Sequence, residues 1–391
     1  MLAGCGTVRV PENRAKPDGR TIGLHVVVVP ARHKAEPDAV TYLAGGPGRA
    51  ATSESYSILE MLAAVNENHL VFLVDQRGTG GSKPPPNADP AQYGTRAAMD
   101  DLDAVRAALG YAQIDIYGTS YGATAAQVYL KRHRHSVRTI VLDSGTLIDR
   151  PFYAGFARNA QRALAQVAAR CAAQKTCARA FPHWTQTFAR LVRDWNRHAV
   201  HGMSGNDLAG VVQSMLLSVD TAASIPLVVT RAAAGDFAQL DLQTRPGVHD
   251  DQMMFWSIWC NEPWVGLNVR GPWHTIFDGY VAHTIAQYRH VCASVPKRTE
   301  PAAAWRLPSR SEVPMLVLAG GADPQDPIGD VAGLRARFPN ARAIVVPGYG
   351  HAVGEFGCLG GLVSDFIDKA SAVGLRTQCV RAIVPPPFAL R

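Results

Sequence analysis

The residues of this 391-residue chain best suited to chemistry are a serine, an aspartate and a histidine, each of which follows an apolar run. Ser120 is the centre of a Gly-x-Ser-x-Gly motif, and Asp323 and His351 lie much later in the chain. A serine hydroxyl is a poor nucleophile at neutral pH, so it needs a base within hydrogen-bond reach and a third group that orients the base. These three residue types therefore indicate nucleophilic acyl transfer, provided that the fold brings them together.

The Gly-x-Ser-x-Gly motif alone is weak evidence, because it also arises by chance in chains that contain glycine and serine. Its context is more specific, since residues 114–117 have the β-branched and aromatic character of a strand and residues 123–130 predict a helix. A strand, a sharp turn and a helix hold a serine with its hydroxyl exposed at the edge of a sheet. Glycines at 118 and 122 allow the close backbone approach that this turn requires. We predict that Ser120 is the nucleophile.

Asp323 and His351 follow two further predicted strands, at residues 313–318 and 343–346. In open α/β sheets the functional site lies beyond the carboxyl ends of the strands, so both side chains are expected beside Ser120. The order serine, aspartate, histidine is also one in which such triads occur. We predict that His351 is the base and Asp323 the acid that orients it. Asp326 is the alternative acid, and Asp323 is preferred because it lies closer to the strand end.

A glycine-rich loop, residues 44–48, follows a buried strand at residues 39–43. Such a loop can direct its backbone N–H groups at the negatively charged oxygen that forms during acyl transfer. We predict an oxyanion hole made by the N–H of Tyr121 and the N–H of Gly46 or Gly45. A plain tight turn is the alternative interpretation of this loop.

Strands and helices alternate along the first part of the chain, which predicts a mostly parallel sheet with helices on both faces. We assign residues 1–148 and 309–391 to this core. Residues 149–308 have helical periodicity and predict an inserted, largely helical cap rich in tryptophan. Further core helices are expected at residues 97–109, 328–338 and 360–372. In one core loop, Asp75 and Arg77 are expected to form a buried ion pair that fixes the loop.

The composition, 47% apolar and 18% charged, is typical of a globular protein. No run approaches the roughly 18 apolar residues of a membrane span. The net charge of +7 comes from scattered basic residues, and motifs of nucleic-acid-binding modules are absent, so a nucleic-acid partner is not expected. The mechanism outlined above needs no metal or organic cofactor. The oligomeric state is not predicted.

The seven cysteines form three local pairs with one left over. The paired cysteines are Cys171 and Cys177, Cys260 and Cys292, and Cys358 and Cys379. This pattern predicts three disulfides and an oxidising compartment, either the periplasm or the exterior, with at most one free thiol. Zinc binding is disfavoured because no Cys-x-x-Cys spacing occurs. No secretory signal is recognised after Met1, and whether Cys5 is free, paired or lipidated stays open.

Six segments resemble the tripeptidyl-aminopeptidase branch of the prolyl aminopeptidase-like α/β hydrolases. They are CGTVRVPENR (5–14), AGGPG (44–48), DQRGTG (75–80), GTSYG (118–122), GADP (321–324) and GYGH (348–351). The resemblance spans nearly the whole chain. It implies an α/β-hydrolase fold and a serine peptidase that acts on peptide N-termini, or a carboxylesterase, since the branch contains both. Its members are typically exported by bacteria.

The same resemblance implies that an acid of the cap binds the substrate amine, and Glu262 is the candidate. A surface or structurally paired glutamate is the alternative. Two departures are visible: Ala44 stands where prolyl aminopeptidases have histidine, and a cysteine often found after the Asp-Gln-Arg-Gly loop is missing. The first puts strict proline specificity in doubt. A silent hydrolase fold that only binds a ligand is the remaining hypothesis, because fold alone does not prove function.

Overall fold

The protein is represented by a computed structural model, which describes residues 3–33, 36–244, 252–298, 300–308, 310–327 and 333–391. Within these residues eight strands form one sheet in the order β1-β2-β4-β3-β5-β6-β7-β8. The strands are β1 (Gly4–Pro11), β2 (Thr21–Val29), β3 (Ala39–Leu43), β4 (Leu70–Val74), β5 (Ile114–Thr119), β6 (Val137–Asp143), β7 (Met315–Gly320) and β8 (Ala341–Val346). Strands β1 and β2 pair antiparallel, as do β2 and β4, and the remaining pairs are parallel.

The described helices fall into a core set and a set inserted between β6 and β7. The core helices are α1 (Ser55–Met61), α2 (Ala63–Asn66), α3 (Thr95–Ala108), α4 (Tyr121–Arg132), α14 (Leu334–Arg337) and α15 (Leu359–Lys369). The inserted helices are α5 (Phe152–Ala173), α6 (Lys175–Ala180), α7 (Trp184–Trp195), α8 (Gly205–Met215), α9 (Val219–Ala222), α10 (Ile225–Ala233), α11 (Ala238–Gln243), α12 (Gln252–Asn261) and α13 (Asp278–Cys292). None of the described helices is both long and apolar enough to cross a membrane.

The sheet has a separate apolar core on each face, because successive side chains of a strand point to opposite sides. Phe72 of β4 packs with helices α3 and α4, whereas its neighbour Leu73 packs with α1, α2 and α15. Helix α3 places Leu102 and Val105 on its buried face, which is the spacing expected of an amphipathic helix. The predicted fold class, a mostly parallel sheet with helices on both faces, is confirmed.

Strand β1 was not among the sequence-based expectations. Its residues are mostly exposed, with only Val10 buried, because it lies at the edge of the sheet. Two glycines and an incomplete apolar alternation give such a strand a weak sequence signal. The helix predicted at 328–338 is seen only as α14, since residues 328–332 lie outside the described part of the chain.

The prediction of an ion pair between Asp75 and Arg77 is wrong, although both side chains are buried. Arg77 reaches α3 instead, where its Nε and Nη2 donate to the two carboxylate oxygens of Asp101 at 2.6 and 2.7 Å. Asp75 accepts from the backbone N–H groups of Thr52 and Gly81 at 2.9 and 2.8 Å. Each residue therefore fixes the loop after β4 through a different partner.

Candidate active site

Ser120 lies on a sharp turn between β5 and α4, with φ 57° and ψ −124°. This conformation is uncommon for a residue with a side chain and indicates a turn held by its surroundings. A Cβ added to Gly122 would lie 1.9 Å from the carbonyl oxygen of Leu43, and one added to Gly118 would lie 2.3 Å from that of Gly122. Both positions therefore require glycine, and the strand, turn and helix predicted around Ser120 are present.

His351 and Asp323 are hydrogen-bonded to each other beyond the ends of β8 and β7. His351 Nδ1 lies 2.9 Å from Asp323 Oδ2. The other carboxylate oxygen of Asp323 accepts from the backbone N–H groups of Gln325 and Asp326, at 2.8 and 3.0 Å. Because Nδ1 is occupied by the aspartate, Nε2 is the ring nitrogen left to take a proton from a nucleophile.

Asp326 is the less suitable acid in this geometry. Its Oδ2 lies 3.9 Å from His351 Nδ1, beyond hydrogen-bond distance. Its Oδ1 accepts a hydrogen bond from the hydroxyl of Thr146 instead. Asp323 is fully buried and directly bonded to the imidazole, so the structure favours it as the orienting acid.

The electrostatics of the histidine and aspartate favour a charged pair. Burial alone would lower the pKa of His351, but the negative charge of Asp323 and the hydrogen bond to it raise the pKa to about 9. Burial alone would raise the pKa of Asp323, but the charge and hydrogen bond of His351 hold it below its usual range. This environment stabilises the imidazolium that forms when the histidine accepts a proton.

The glycine loop after β3 lies directly against Ser120. A Cβ added to Gly45 would be 3.2 Å from Ser120 Cβ and 3.7 Å from Ser120 Oγ. Gly46 has φ 105°, which favours glycine. Tyr121 is the first residue of α4, so its N–H has no carbonyl partner within the helix. The predicted oxyanion-hole residues Gly45, Gly46 and Tyr121 therefore flank Ser120.

Two residues that sequence reasoning missed, Asp143 and Ser144, connect the turn of Ser120 to the turn after His351. The N–H of Ser120 donates to the carbonyl oxygen of Asp143 at 2.9 Å. The Asp143 carboxylate and the Ser144 hydroxyl accept from backbone N–H groups of residues 352–354, just after His351. The available sequence signal was the apolar run of residues 140–142, which Asp143 follows as Asp323 follows the run at 313–318.

Glu262 is buried where the inserted helices meet the core, with 4% of its surface exposed. Its carboxylate accepts from the N–H and hydroxyl of Thr95, both at 2.7 Å, from Trp264 Nε1 at 2.8 Å and from Arg298 Nη2 at 3.2 Å. Thr95 Oγ1 in turn lies 3.0 Å from the hydroxyl of Tyr121. Burial raises the pKa of Glu262 to about 7, opposed by the charge of Arg298 and by these hydrogen bonds.

The six cysteines predicted to pair form disulfides, and Cys5 is free and exposed. Cys171 is joined to Cys177, Cys260 to Cys292, and Cys358 to Cys379. The first pair links α5 to α6 and the second links α12 to α13. The disulfides therefore brace the inserted helices and the C-terminal part of the core.

One group of side chains with metal-ligand chemistry, Asp38, His69 and Asp115, lies away from Ser120. It lies at the amino ends of strands β3, β4 and β5, whereas Ser120 lies beyond the carboxyl end of β5. Arg138 Nη1 lies 2.9 Å from Asp38 Oδ2 and 3.0 Å from Asp115 Oδ2. Because Arg138 contacts both carboxylates and His69 Nε2 lies 2.7 Å from Asp368 Oδ1, these residues form an ion-pair cluster rather than a metal site.

Comparison with known proteins places the chain among the hydrolases. The model of the α/β hydrolase fold family matches residues 38–357. Proline iminopeptidase of Lactobacillus delbrueckii subsp. bulgaricus is 32% identical over 105 residues, which are 26% of this chain and 34% of that protein. Proline iminopeptidase of Neisseria meningitidis serogroup A is 31% identical over 112 residues, 29% of this chain and 34% of that protein. The chain thus matches about a third of the length of these curated relatives.

Among solved structures, this chain is similar to the proline iminopeptidase of Mycobacterium smegmatis. It is 17% identical, with a TM-score of 0.49 over 93% of this chain and 98% of that one. The proline iminopeptidase-related protein of Thermus thermophilus is also 17% identical, with a TM-score of 0.42 over 98% of this chain and 99% of that one. The family model covers most of the chain, including Ser120, Asp323 and His351. The chain therefore belongs to the α/β hydrolase family.

Proposed function

We propose that the chain is a serine hydrolase that works through Ser120, His351 and Asp323. The observation that carries this proposal is the 2.9 Å hydrogen bond between His351 and buried Asp323, at the sheet edge where the Ser120 turn lies. A histidine oriented in this way is the base that a serine nucleophile requires.

The proposed reaction transfers an acyl group to water in two halves. Ser120 Oγ attacks the substrate carbonyl carbon while His351 Nε2 takes the hydroxyl proton, and Asp323 stabilises the resulting imidazolium. The N–H groups of Tyr121 and of Gly46 or Gly45 bind the negatively charged oxygen of the tetrahedral intermediate. His351 then gives its proton to the leaving group. A water molecule, activated by the same histidine, releases the acyl group from Ser120.

The substrate we propose is a peptide, cleaved near its free N-terminus. Sequence similarity to two proline iminopeptidases supports this proposal, although it covers about a third of their length. A buried acid of the inserted helices, Glu262, offers the negative charge that a protonated amine would need. All four of its hydrogen-bond positions are taken, so an amine must displace one donor, and Arg298 at 3.2 Å is the longest of them.

A carboxylesterase is the second candidate, and the same four contacts favour it. If the donors to Glu262 do not exchange, its carboxylate has no position left for a substrate amine. The triad would then act on esters, for which no free amine is needed. The inserted helices, predicted at the sequence level to form a cap over residues 149–308, would select the acyl or alcohol group.

Labelling with a fluorophosphonate tests the triad, and a pair of substrates tests the specificity. Stoichiometric labelling of the wild type is expected, together with its loss in folded Ser120→Ala. Aminoacyl and tripeptidyl arylamides are then compared with their N-acetylated counterparts and with short nitrophenyl esters. A strong preference for the free amine supports the aminopeptidase. Turnover of esters alone, with no gain from a free amine, overturns it in favour of the esterase, and an unlabelled folded wild type overturns the triad.

We propose further that the protein is exported. Three disulfides form and persist in oxidising compartments such as the periplasm or the cell exterior, which supports this assignment. A fractionation of the producing cells that finds the protein only in the reducing cytosol would contradict it.

A further inference from the structure

Asp143 ends β6 in the middle of the sheet, between β5 and β7, and its side chain is buried. Its backbone and side chain serve two different loops. The carbonyl oxygen accepts the N–H of Ser120 at 2.9 Å. The carboxylate accepts the N–H of Val353 on Oδ1 and the N–H of Gly354 on Oδ2, each at 2.9 Å. One residue thus contacts both the turn of the nucleophile and the turn after His351.

The turn after His351 needs such support because its backbone is strained. Ala352 has φ 60°, which is uncommon for a residue with a Cβ. The N–H of Ala352 donates to Ser144 Oγ at 3.0 Å, and the N–H of Ser144 donates to the carbonyl oxygen of Leu318 at 3.0 Å. Three consecutive N–H groups, at residues 352–354, are therefore bound by Asp143 and Ser144. Strained turns persist only where the surroundings determine them in this way.

We propose that Asp143 is a positioning residue that holds the His351 turn in register with the Ser120 turn. This proposal rests on the proposed Ser-His-Asp mechanism. The carboxylate touches neither substrate nor the reacting atoms, and it acts through the backbone of residues 353 and 354. A displacement of the base by about 1 Å can cost about 100-fold in rate, so a device that fixes the histidine backbone has a measurable effect.

Because the Asp143 carboxylate is negatively charged, its positioning role predicts a change in the pH profile of activity that a purely packing role would not cause. The acidic groups that face His351 are Asp323, Asp326 and Asp143, and each raises the pKa of the imidazole. Burial raises the pKa of Asp143 itself, while the N–H groups of Val353 and Gly354, the hydroxyl of Tyr117 and the charge of His351 oppose the rise. The donors directed at both oxygens suit a carboxylate, which accepts hydrogen bonds on each of them.

The test compares Asp143→Asn with Tyr117→Phe. An asparagine has the same shape, but its NH₂ group cannot accept the N–H of Gly354 and its charge is zero. We expect kcat to fall ~100-fold with KM nearly unchanged, and the acidic limb of the pH profile of kcat/KM to move to lower pH. Tyr117→Phe removes the hydroxyl that donates to Asp143 Oδ2 at 2.9 Å but leaves the turn bonded. It should change kcat by no more than ~threefold.

Two results would overturn the positioning role. One is a folded Asp143→Asn variant with the kcat and pH profile of the wild type. The other is a loss in Tyr117→Phe as large as that in Asp143→Asn, which would mean that burial of the acid matters rather than its bonds to the turn. If wild-type protein is not labelled by a fluorophosphonate, the proposed mechanism fails instead, so the two failures are distinguishable.

A second variant keeps the test decisive if Asp143→Asn does not fold. Ser144→Ala removes the hydroxyl that accepts the N–H of Ala352 at 3.0 Å and that also donates to Asp143 Oδ1 at 3.4 Å. One lost hydrogen bond to the same turn should slow fluorophosphonate labelling roughly 3- to 10-fold, with KM for substrate unchanged. Wild-type labelling rates in folded Ser144→Ala contradict the proposal.

Discussion

Two groups of buried acids in this protein are held in different ways. At the carboxyl edge of the sheet, Asp323 and Asp143 lie at or just after strand ends, and backbone N–H groups bind their carboxylates. At the cap–core contact, defined as Ser257, Glu262 and Arg298 against residues 90–95, side chains supply three of the four donors to Glu262, and the fourth is the backbone N–H of Thr95. Ser257 Oγ donates to the carbonyl oxygen of Pro90 at 2.7 Å, and Arg298 Nη1 to that of Ala91 at 3.0 Å.

This difference separates the residues proposed to carry out the reaction from the residues proposed to select the substrate. Backbone bonds at strand ends fix an acid as rigidly as the sheet itself, which suits groups that must stay aligned during the reaction. Side-chain bonds can be exchanged for bonds to a ligand at a moderate cost. We therefore expect substitutions at the carboxyl edge of the sheet to lower kcat for every substrate. Substitutions at the cap–core contact should change the relative kcat/KM values of different substrates.

The largest effect should come from the orienting acid. Asp323→Asn keeps the shape of the side chain but favours the wrong histidine tautomer, and such a change is expected to reduce kcat ~10⁴-fold. Asp326→Asn is the matched control, because its carboxylate lies 3.9 Å from His351 Nδ1. Its loss should be far smaller. The measurement is kcat on the same substrate for both folded variants.

A reversed order of losses in this pair would make Asp326 the orienting acid. Equal losses would show that the imidazole shares its hydrogen bond between the two carboxylates. Either result would contradict the rigid single-acid arrangement on which the comparison of the two regions depends.

The residues at the carboxyl edge of the sheet were predictable because each of the three proposed catalytic residues follows an apolar run in the sequence. Ser120, Asp323 and His351 could be placed together by counting strand ends, since parallel strands share an edge. The glycines at 45 and 122 also carried a local signal, because only glycine permits such close backbone approach. Asp143 lies at the same edge but was overlooked, because no local motif marks an acid that binds a turn more than 200 residues later.

The cap–core contact could not be derived in the same way. Glu262 and Thr95 lie 167 residues apart, and no periodicity relates them. The same limit explains the wrong pairing of Asp75 with Arg77, since the true partner, Asp101, is supplied by helix α3. Bonds between side chains of distant elements depend on the packed structure, whereas short segments of the sequence determine strand ends and tight turns.

The second largest effect that we expect is the dependence of activity on pH, which tests the residues at the carboxyl edge of the sheet. The base must be neutral to accept the proton of Ser120, and the charge of Asp323 raises the pKa of His351 to about 9. Activity should therefore rise with pH and level off near that value, with kcat/KM falling about tenfold for each unit below it. The measurement is kcat/KM between pH 5 and 10 on a substrate that does not itself titrate.

Asp323→Asn serves as the control for this profile. Loss of the main charge that stabilises the imidazolium should move the acidic limb to lower pH while the plateau falls. A limb that stays in place in this variant would assign the titration to another group. An optimum near neutral pH in the wild type would contradict the charged pair of His351 and Asp323.

The smallest expected effect lies at the cap–core contact and separates its two possible uses. Glu262→Gln removes the charge that a substrate amine would require, and loss of a charged hydrogen bond should lower kcat/KM for free-amine substrates ~10- to 100-fold. Thr95→Val removes the hydroxyl that donates to Glu262 at 2.7 Å but keeps the carboxylate. It should lower kcat/KM ~threefold on esters and arylamides alike.

Because burial raises the pKa of Glu262 to about 7, the preference for a free amine should also weaken below that pH. Equal losses on amine and N-acetylated substrates in Glu262→Gln would show that Glu262 only holds the inserted helices against the core.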